Sequence, residues 1–362
     1  MSFRRDPFQR YGTPVLAICG FSGSGKTTLL EAAIPQLVAR GLSVAVVKHD
    51  AHGVIVDTPG KDSDRLFQAG ATVALRGANQ QFQRRGLTTS LTLDATLADL
   101  ARDHDLVLVE GHKDTQLPKF WLEDSVHTAV AENIVNVIAT LKRESQRLAC
   151  FLEYVDAWLP KAWSARPLYR GLLIGGKSSR MGSAKQLLKF GDRQLGEIVA
   201  AALGADRCRR DVLTLGAGPV PPSLDDLVGL PDAPGFKGPC AGLLAAHRWA
   251  PEAAWVVAAC DHPWLRMEDI EWLISLRRPG NWALVPRQED GHPCPILALY
   301  EPQALAALER RVIEQPENAR IAALLDHPRT LIIDPPPEHK RACANVNTPE
   351  EFRNAELLPK RT

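Results

Sequence analysis

Residues Gly20, Phe21, Ser22, Gly23, Ser24, Gly25, Lys26 and Thr27 satisfy the spacing G-x-x-x-x-G-K-[ST], between an apolar run and a helical stretch. Glycines so spaced let backbone N–H groups converge on phosphate oxygens, and the N-terminus of the next helix adds a favourable dipole. Lys26 is placed to neutralise β- and γ-phosphate charge and the Thr27 hydroxyl to ligate Mg2+, with Ser22, Gly23, Ser24 and Thr28 completing the cradle. Glu110 closes the apolar run 105–109, where a carboxylate beside such a loop positions a metal ion or a water. A second strand-to-loop passage, 172–185, lacks that spacing. It carries Gly175 and Gly176 for close approach to a nucleotide, Leu173 and Ser179 beside them, and Arg180 and Lys185 to hold triphosphate charge. Further on, Asp261 follows the apolar run 255–259, on the edge where open α/β sheets bind ligands. Nucleotide phosphate at two separate places is the chemistry these residues suit.

Positioning such loops requires parallel strands alternating with helices. Strand candidates in the first half are 14–19, 43–47, 72–75, 105–109 and 134–138, with a helix over 27–40 that Pro35 is expected to kink or break. Periodicity is lost around 154–170, which contains Pro160, Pro167, Trp158 and Trp163. Strands then recur at 171–174, 211–215 and 255–259, with a loop over 216–222 and a helix over 241–249. The expected class is α/β, with two doubly wound domains: a leader at 1–12, a first domain at 13–160, a linker at 161–170 and a second domain at 171–362. The length of 362 residues agrees with about two domains.

Lys plus Arg total 43 against 42 acidic residues, so the net charge of +1 gives no broad attraction for nucleic acid or anionic lipid. Seven cysteines, odd in number and without C-x-x-C spacing, give neither a disulfide framework nor a zinc ribbon, and a reducing compartment fits them. The start of the chain has no apolar h-region, and the uncharged apolar run 253–260 is too short for a bilayer. A cytoplasmic protein is expected. The eight tryptophans are expected to serve packing.

Val47-Lys48-His49, Asp57-Thr58-Pro59-Gly60-Lys61-Asp62-Ser63 with Arg65, Ala69-Gly70-Ala71, and the run ending in Glu110-Gly111 resemble the adaptor proteins of molybdopterin-guanine dinucleotide biosynthesis. The resemblance covers about residues 13–160 and implies a P-loop NTPase fold that binds GTP and hydrolyses it slowly if at all. It also implies support of cofactor delivery to molybdoenzyme clients or their chaperones, and a homodimer through this domain. The family usually has a second histidine pair after its Lys-His, whereas this chain has Lys48-His49-Asp50-Ala51-His52; His49 and His52 remain site candidates, with a surface or packing role as the alternative. Lys61, Asp62 and Arg65 read alternatively as a solvated turn.

The loop 172–185 resembles the L-A-G-G-x-S-x-R-M-G-x-D-K signature of the molybdenum cofactor nucleotidyltransferases, a Rossmann-like fold, and later segments agree in order. Asp232 through Gly238-Pro239-Cys240-Ala241-Gly242 resembles the guanylyl branch's nucleoside segment, which implies Asp232 on the nucleoside. Cys260-Asp261-His262-Pro263 is similar to that family's C-D-x-P, which implies Mg2+ on Asp261. Asn345-Val346-Asn347-Thr348-Pro349 is similar to the guanylyl branch's N-x-N-T-P and implies nucleotide contacts from Asn345 and Asn347; an Asx turn capping the next helix is the alternative. His292, in Gly291-His292-Pro293, is matched to a substrate-side loop or to a simple turn.

Ala184 replaces the family's Asp, Ile174 replaces a small residue, and Lys185-Gln186-Leu187-Leu188 with Leu215-Gly216-Ala217 is closer to the cytidylyl branch. The implied activity is Mg2+-dependent transfer of GMP from GTP to molybdenum-molybdopterin, with Arg180, Lys185 and Asp261 in catalytic roles and no covalent protein nucleophile. A cytidylyltransferase, or a catalytically degenerate GTP-dependent carrier, are the alternatives.

Overall fold

The computed structural model describes residues 14–49, 57–86, 92–126, 129–130, 133–143, 146–175 and 184–357. The expected leader at 1–12 and His52 lie outside them, as do Gly176, Ser179 and Arg180.

The first unit runs β1 (Val15–Gly20), α1 (Lys26–Ala39), β2 (Val44–Lys48), α2 (Asp62–Gln68), β3 (Val73–Arg76), β4 (Gln81–Arg84) and α3 (Leu93–Ala101). It continues through β5 (Leu106–Glu110), β6 (Lys119–Leu122), β7 (Val137–Leu141) and α4 (Arg147–Ser164). Five strands pair in parallel in the order β2-β5-β1-β6-β7. Side chains alternate across a strand, so Leu16 and Ile18 of β1 join Leu30, Leu37, Phe151 and Val155 of α1 and α4 on one face. Val15, Ala17 and Cys19 join Leu97 of α3 on the other.

The second unit runs β8 (Leu168–Leu173), β9 (Lys189–Phe190), β10 (Arg193–Gln194), α5 (Leu195–Ala202), β11 (Val212–Leu215), β12 (Val228–Leu230), α6 (Pro239–Trp249) and β13 (Ala254–Ala259). Then follow α7 (Met267–Ser275), β14 (Ala283–Pro286), β15 (Leu297–Tyr300), α8 (Pro302–Glu314), β16 (Thr330–Ile333), α9 (Pro337–Lys340) and α10 (Pro349–Leu357). The sheet order is β12-β11-β8-β13-β15-β14-β16, with β15 antiparallel to both neighbours. Trp255 and Val257 pack under α6 and α8, whereas Val256 and Ala258 face α5 and α7.

Four expectations about elements are corrected. The 72–75 strand forms, but pairs antiparallel with β4 outside the main sheet. The strand placed at 134–138 begins only at Val137, because Asn136, with a positive φ of 58°, turns the backbone there. Pro35 does not break α1; it lies on the exposed face, where the carbonyl four residues back, freed of its helical bond, faces water. The expected linker at 161–170 is mostly regular structure, since α4 runs to Ser164 over an exposed Pro160 and β8 starts at Leu168.

Trp163, at the end of α4, is fully buried in the second unit's core with Trp255, Tyr300 and Leu305. Its indole donates to Glu301 Oε1 at 3.0 Å. Glu301 also accepts from Arg166 (3.2 Å) and from Arg277 (2.7 and 3.0 Å). Asp105, fully buried ahead of β5, takes the Trp282 indole at 2.7 Å and the Arg329 guanidinium at 2.8 Å.

Candidate functional site

The first phosphate loop leaves β1 through Gly20, whose φ is 149° and where an added Cβ would lie 2.6 Å from Leu122 O. Gly25 caps α1 in the left-handed region at φ 87°, so both positions call for glycine. Ser24 is buried, and the Arg147 guanidinium holds its carbonyl at 2.7 Å. Lys26 Nζ donates to Gly20 O (3.2 Å) and Phe21 O (2.8 Å), so its charge lies over the loop. Thr27 Oγ1 donates to Glu110 Oε1 at 2.8 Å, bringing the expected hydroxyl and carboxylate together from residues far apart in sequence.

Lys48, of the Val47-Lys48-His49 segment, reaches the same hydroxyl and carboxylate. Its Nζ lies 3.3 Å from Thr27 Oγ1 and 3.5 Å from Glu110 Oε1. His49 pairs with His112, ring centroids 4.7 Å apart, and burial lowers the pKa of His112, helped by His49. His112 was missed because nothing local marks it. Asp57 binds Ser63 and Arg84, and Arg84 also binds Asp64 at 2.7 Å. Lys61, Asp62 and Arg65 are exposed.

The second site is a cleft of about 250 Å3 at the carboxyl edge of the second sheet. Its floor is Leu173, Ile174 and Gly175 leaving β8, and its walls are Leu215, Asp232, Gly242 and the turn Ala259-Cys260-Asp261. Gly175 has φ 100°, and a Cβ there would meet Ala217 O at 2.7 Å. Gly242 sets α6 close to β11, with an added Cβ 3.3 Å from that of Leu215. Asp232 lies beside Gly216, half-buried at the cleft wall.

Lys185 is the hub. Its Nζ donates to Asp261 Oδ2 at 3.0 Å, Asn347 Oδ1 at 2.8 Å and Val346 O at 3.2 Å. Asp261 is 7% exposed, and its Oδ1 is buried with no hydrogen-bond partner among the described residues. One carboxylate oxygen is thus held by an ammonium, while the other is buried without a hydrogen-bond partner, 3.9 Å from His262 Nε2, and such an orphaned carboxylate oxygen suits a hard cation. The residues fit the ion. Neither Asn345 nor Asn347 is among the residues lining the cleft; Asn347 is joined to it through Lys185. Gly176, Ser179 and Arg180 are outside the described residues, and His292 sits exposed on a turn with its N–H on Asp290.

Two positioning residues were missed. Gln186, 1% exposed, donates to Pro219 O at 2.8 Å and ties down the loop after β11. His262, fully buried, has Nδ1 3.3 Å from Ala344 O, while Val346 N donates to Asp261 O at 2.9 Å; the Asn345–Asn347 segment is thereby fixed to the end of β13. Burial lowers the pKa of His262 and pushes the Cys260 thiol up to about 12, which keeps that thiol protonated and non-nucleophilic. Among the described residues no helix is long and apolar enough to cross a membrane.

Two family models match the chain: molybdopterin guanine dinucleotide synthesis protein B over residues 15–142, and the MobA-like NTP transferase domain over residues 171–330. The molybdopterin-guanine dinucleotide biosynthesis adapter protein of Haemophilus influenzae is 34% identical over 175 residues, covering 44% of this chain and 97% of that protein. The molybdenum cofactor guanylyltransferase of Pseudomonas putida is 31% identical over 187 residues, covering 51% of this chain and 94% of that one. A molybdenum cofactor biosynthesis bifunctional protein of Synechocystis sp. is 29% identical over 199 residues, covering 52% of this chain and 54% of the relative.

Proposed function

We infer the activity of this chain from its membership in two families: it belongs to molybdopterin guanine dinucleotide synthesis protein B over residues 15–142 and to the MobA-like NTP transferases over residues 171–330. It is a molybdenum cofactor guanylyltransferase that transfers GMP from GTP to molybdenum-molybdopterin, releases pyrophosphate, and carries an adaptor domain that assists.

The finer assignments rest chiefly on the unpartnered, buried Asp261 Oδ1 beside a Lys185-held Oδ2. Asp261 would hold Mg2+, and the ion, when bound, would supply neutralisation of phosphate charge. A phosphate oxygen of the acceptor attacks the α-phosphorus in line, the new P–O bond forms, and the α–β bridging bond breaks with its electron pair on pyrophosphate. Lys185, anchored on Asn347 and Val346 O, offsets charge growing on that leaving group, joined by Arg180. Gly175 and Gly176 let the backbone approach the nucleotide, with Leu173 and Ser179 alongside. Asp232 contacts the nucleoside, and Asn345 and Asn347 belong to the nucleotide site.

In the first domain, Gly20 to Thr28 bind GTP, and Thr27, whose hydroxyl is on Glu110, would hold Mg2+ with Glu110 beside it. Weak GTP hydrolysis, delivery to molybdoenzyme clients and self-association through this domain belong to the same proposal. Seven free cysteines support a reducing, cytoplasmic setting.

The test is formation of pyrophosphate and dinucleotide from molybdopterin cofactor, Mg2+ and either GTP or CTP, with Asp261→Ala as control. Product from GTP that vanishes in the variant is expected. Preference for CTP would move the chain to the cytidylyl branch. No product from either nucleotide, with activity gained in Ala184→Asp, would make it a degenerate carrier.

A further inference from the structure

The first phosphate loop follows β1, and its companions Lys48 and Glu110 end β2 and β5, so the whole site lies at the carboxyl edge of the first sheet. The contacts between units come from the opposite edge. Arg329 Nη1 donates to Gly41 O and to Asp105; Trp282 donates to Asp105; Gln303 Nε2 donates to Ala101 O and His104 O. Those acceptors lie in the loops that enter β2 and β5 and at the end of α3.

Their partners lie on the corresponding edge of the second sheet. Arg166 enters β8, Trp282 enters β14 and Arg329 enters β16, while Glu301 and Gln303 leave the antiparallel β15. The cleft, with Gly175 after β8, Leu215 ending β11 and Asp261 after β13, is at the other edge. The units are therefore joined back to back.

Helix α4 sets the scale. At its start Arg147 holds Ser24 O of the first loop at 2.7 Å, and near its end Trp163 sits in the second core. Eighteen helical residues span about 27 Å, and the six residues of β8 add about 20 Å. Reorienting the units to bring the sites together would withdraw Trp282 and Arg329 from the fully buried Asp105, and Gln303 from its two carbonyls.

We infer that no nucleotide passes directly between the two phosphate sites of one chain. A dinucleotide made in the cleft departs into solvent before any phosphate cradle, on this chain or another, can take it up. The identity of that cargo rests on the guanylyltransferase reading; the back-to-back geometry does not.

The test uses full-length chain with Lys142→Cys and Lys237→Cys, exposed residues that flank Arg147 and the cleft-lining Gly238 respectively. The half-buried Cys150 and the exposed Cys208 are changed to serine, nitroxides are attached, and distances are read by pulsed electron resonance. One distance of roughly 45 Å is expected, unchanged by GTP, Mg2+ or molybdopterin cofactor. A population under about 25 Å with any of these would overturn the inference, being far short of the helix-plus-strand span. Pyrophosphate release from GTP by the unaltered chain is recorded in parallel. Its absence would refute the guanylyltransferase reading and leave the distance result to decide the geometry.

Discussion

Replacing Lys185 by methionine removes the ammonium that joins Asp261, Asn347 and Val346 O while keeping most of the side-chain volume. With Nζ 3.0 Å from Asp261 Oδ2, the gross attraction at an effective dielectric near 20 is about 5 kcal/mol. The side chains are 20% and 10% exposed, and removing the ammonium also removes its own desolvation cost, so a net stability loss of about 2 kcal/mol is expected. The kinetic effect is larger, because the charge faces the departing pyrophosphate: a fall of about 10²- to 10³-fold in kcat at saturating GTP. Two assays read this, urea unfolding with and without Mg2+ and quenched-flow pyrophosphate release. In the variant neither Asp261 oxygen is held by an ammonium, so Mg2+ should raise its unfolding midpoint more than that of the unaltered chain. Retention of more than a tenth of the rate, or an identical Mg2+ effect on the two proteins, would refute this role.

Glu301→Gln strips the shared counter-ion from Arg166 and Arg277, both buried; burial already lowers the pKa of Arg166 to about 10. A loss of about 3–5 kcal/mol in urea unfolding is expected, and a loss under about 1 kcal/mol would mean the guanidiniums find other partners. His247, 4% exposed on α6, has its pKa lowered from 6.5 to about 4 by burial. As pH falls through 6.5 the unfolded chain takes up this proton first. Stability that is complete above about pH 6.5 is therefore lost progressively down to about pH 4, amounting to about 3 kcal/mol. Denaturation midpoints from pH 7 to 4.5 should fall less steeply in His247→Gln, and equal slopes in the two proteins would contradict the assignment.

Both site frameworks were legible in the sequence because they sit where glycines interrupt a strand and where a carboxylate ends one, and those local signals survive folding. Thr27 meets Glu110, and Lys185 meets Asp261, as those strand ends require. Contacts made across the fold were hidden. The interior strand β6 was missed because Pro118 and Lys119 interrupt its apolar run, yet Lys119 is fully buried with Nζ on Thr115 O and Val135 O. β3 shows the same apolar run as a core strand, and nothing local reveals that its partner is β4. Pro160 suggested a break before Trp163, but at an exposed helical position it tolerates the missing hydrogen bond. Asn345 and Asn347 looked alike in sequence; the segment's tether to Asp261 places only Asn347 on Lys185.

The helix shared between the two halves also bears on how the chain is made. Trp163 leaves the ribosome with the first half, but its acceptor Glu301 is encoded 138 residues later. At about 5–20 residues per second that is a wait on the order of ten seconds. During it, the apolar end of α4 and the Asp105 carboxylate have no second sheet to dock on. The nascent first half is thus most exposed to misassociation on the very edge it later buries, and a slow stretch of translation between codons 165 and 301 would prolong that exposure.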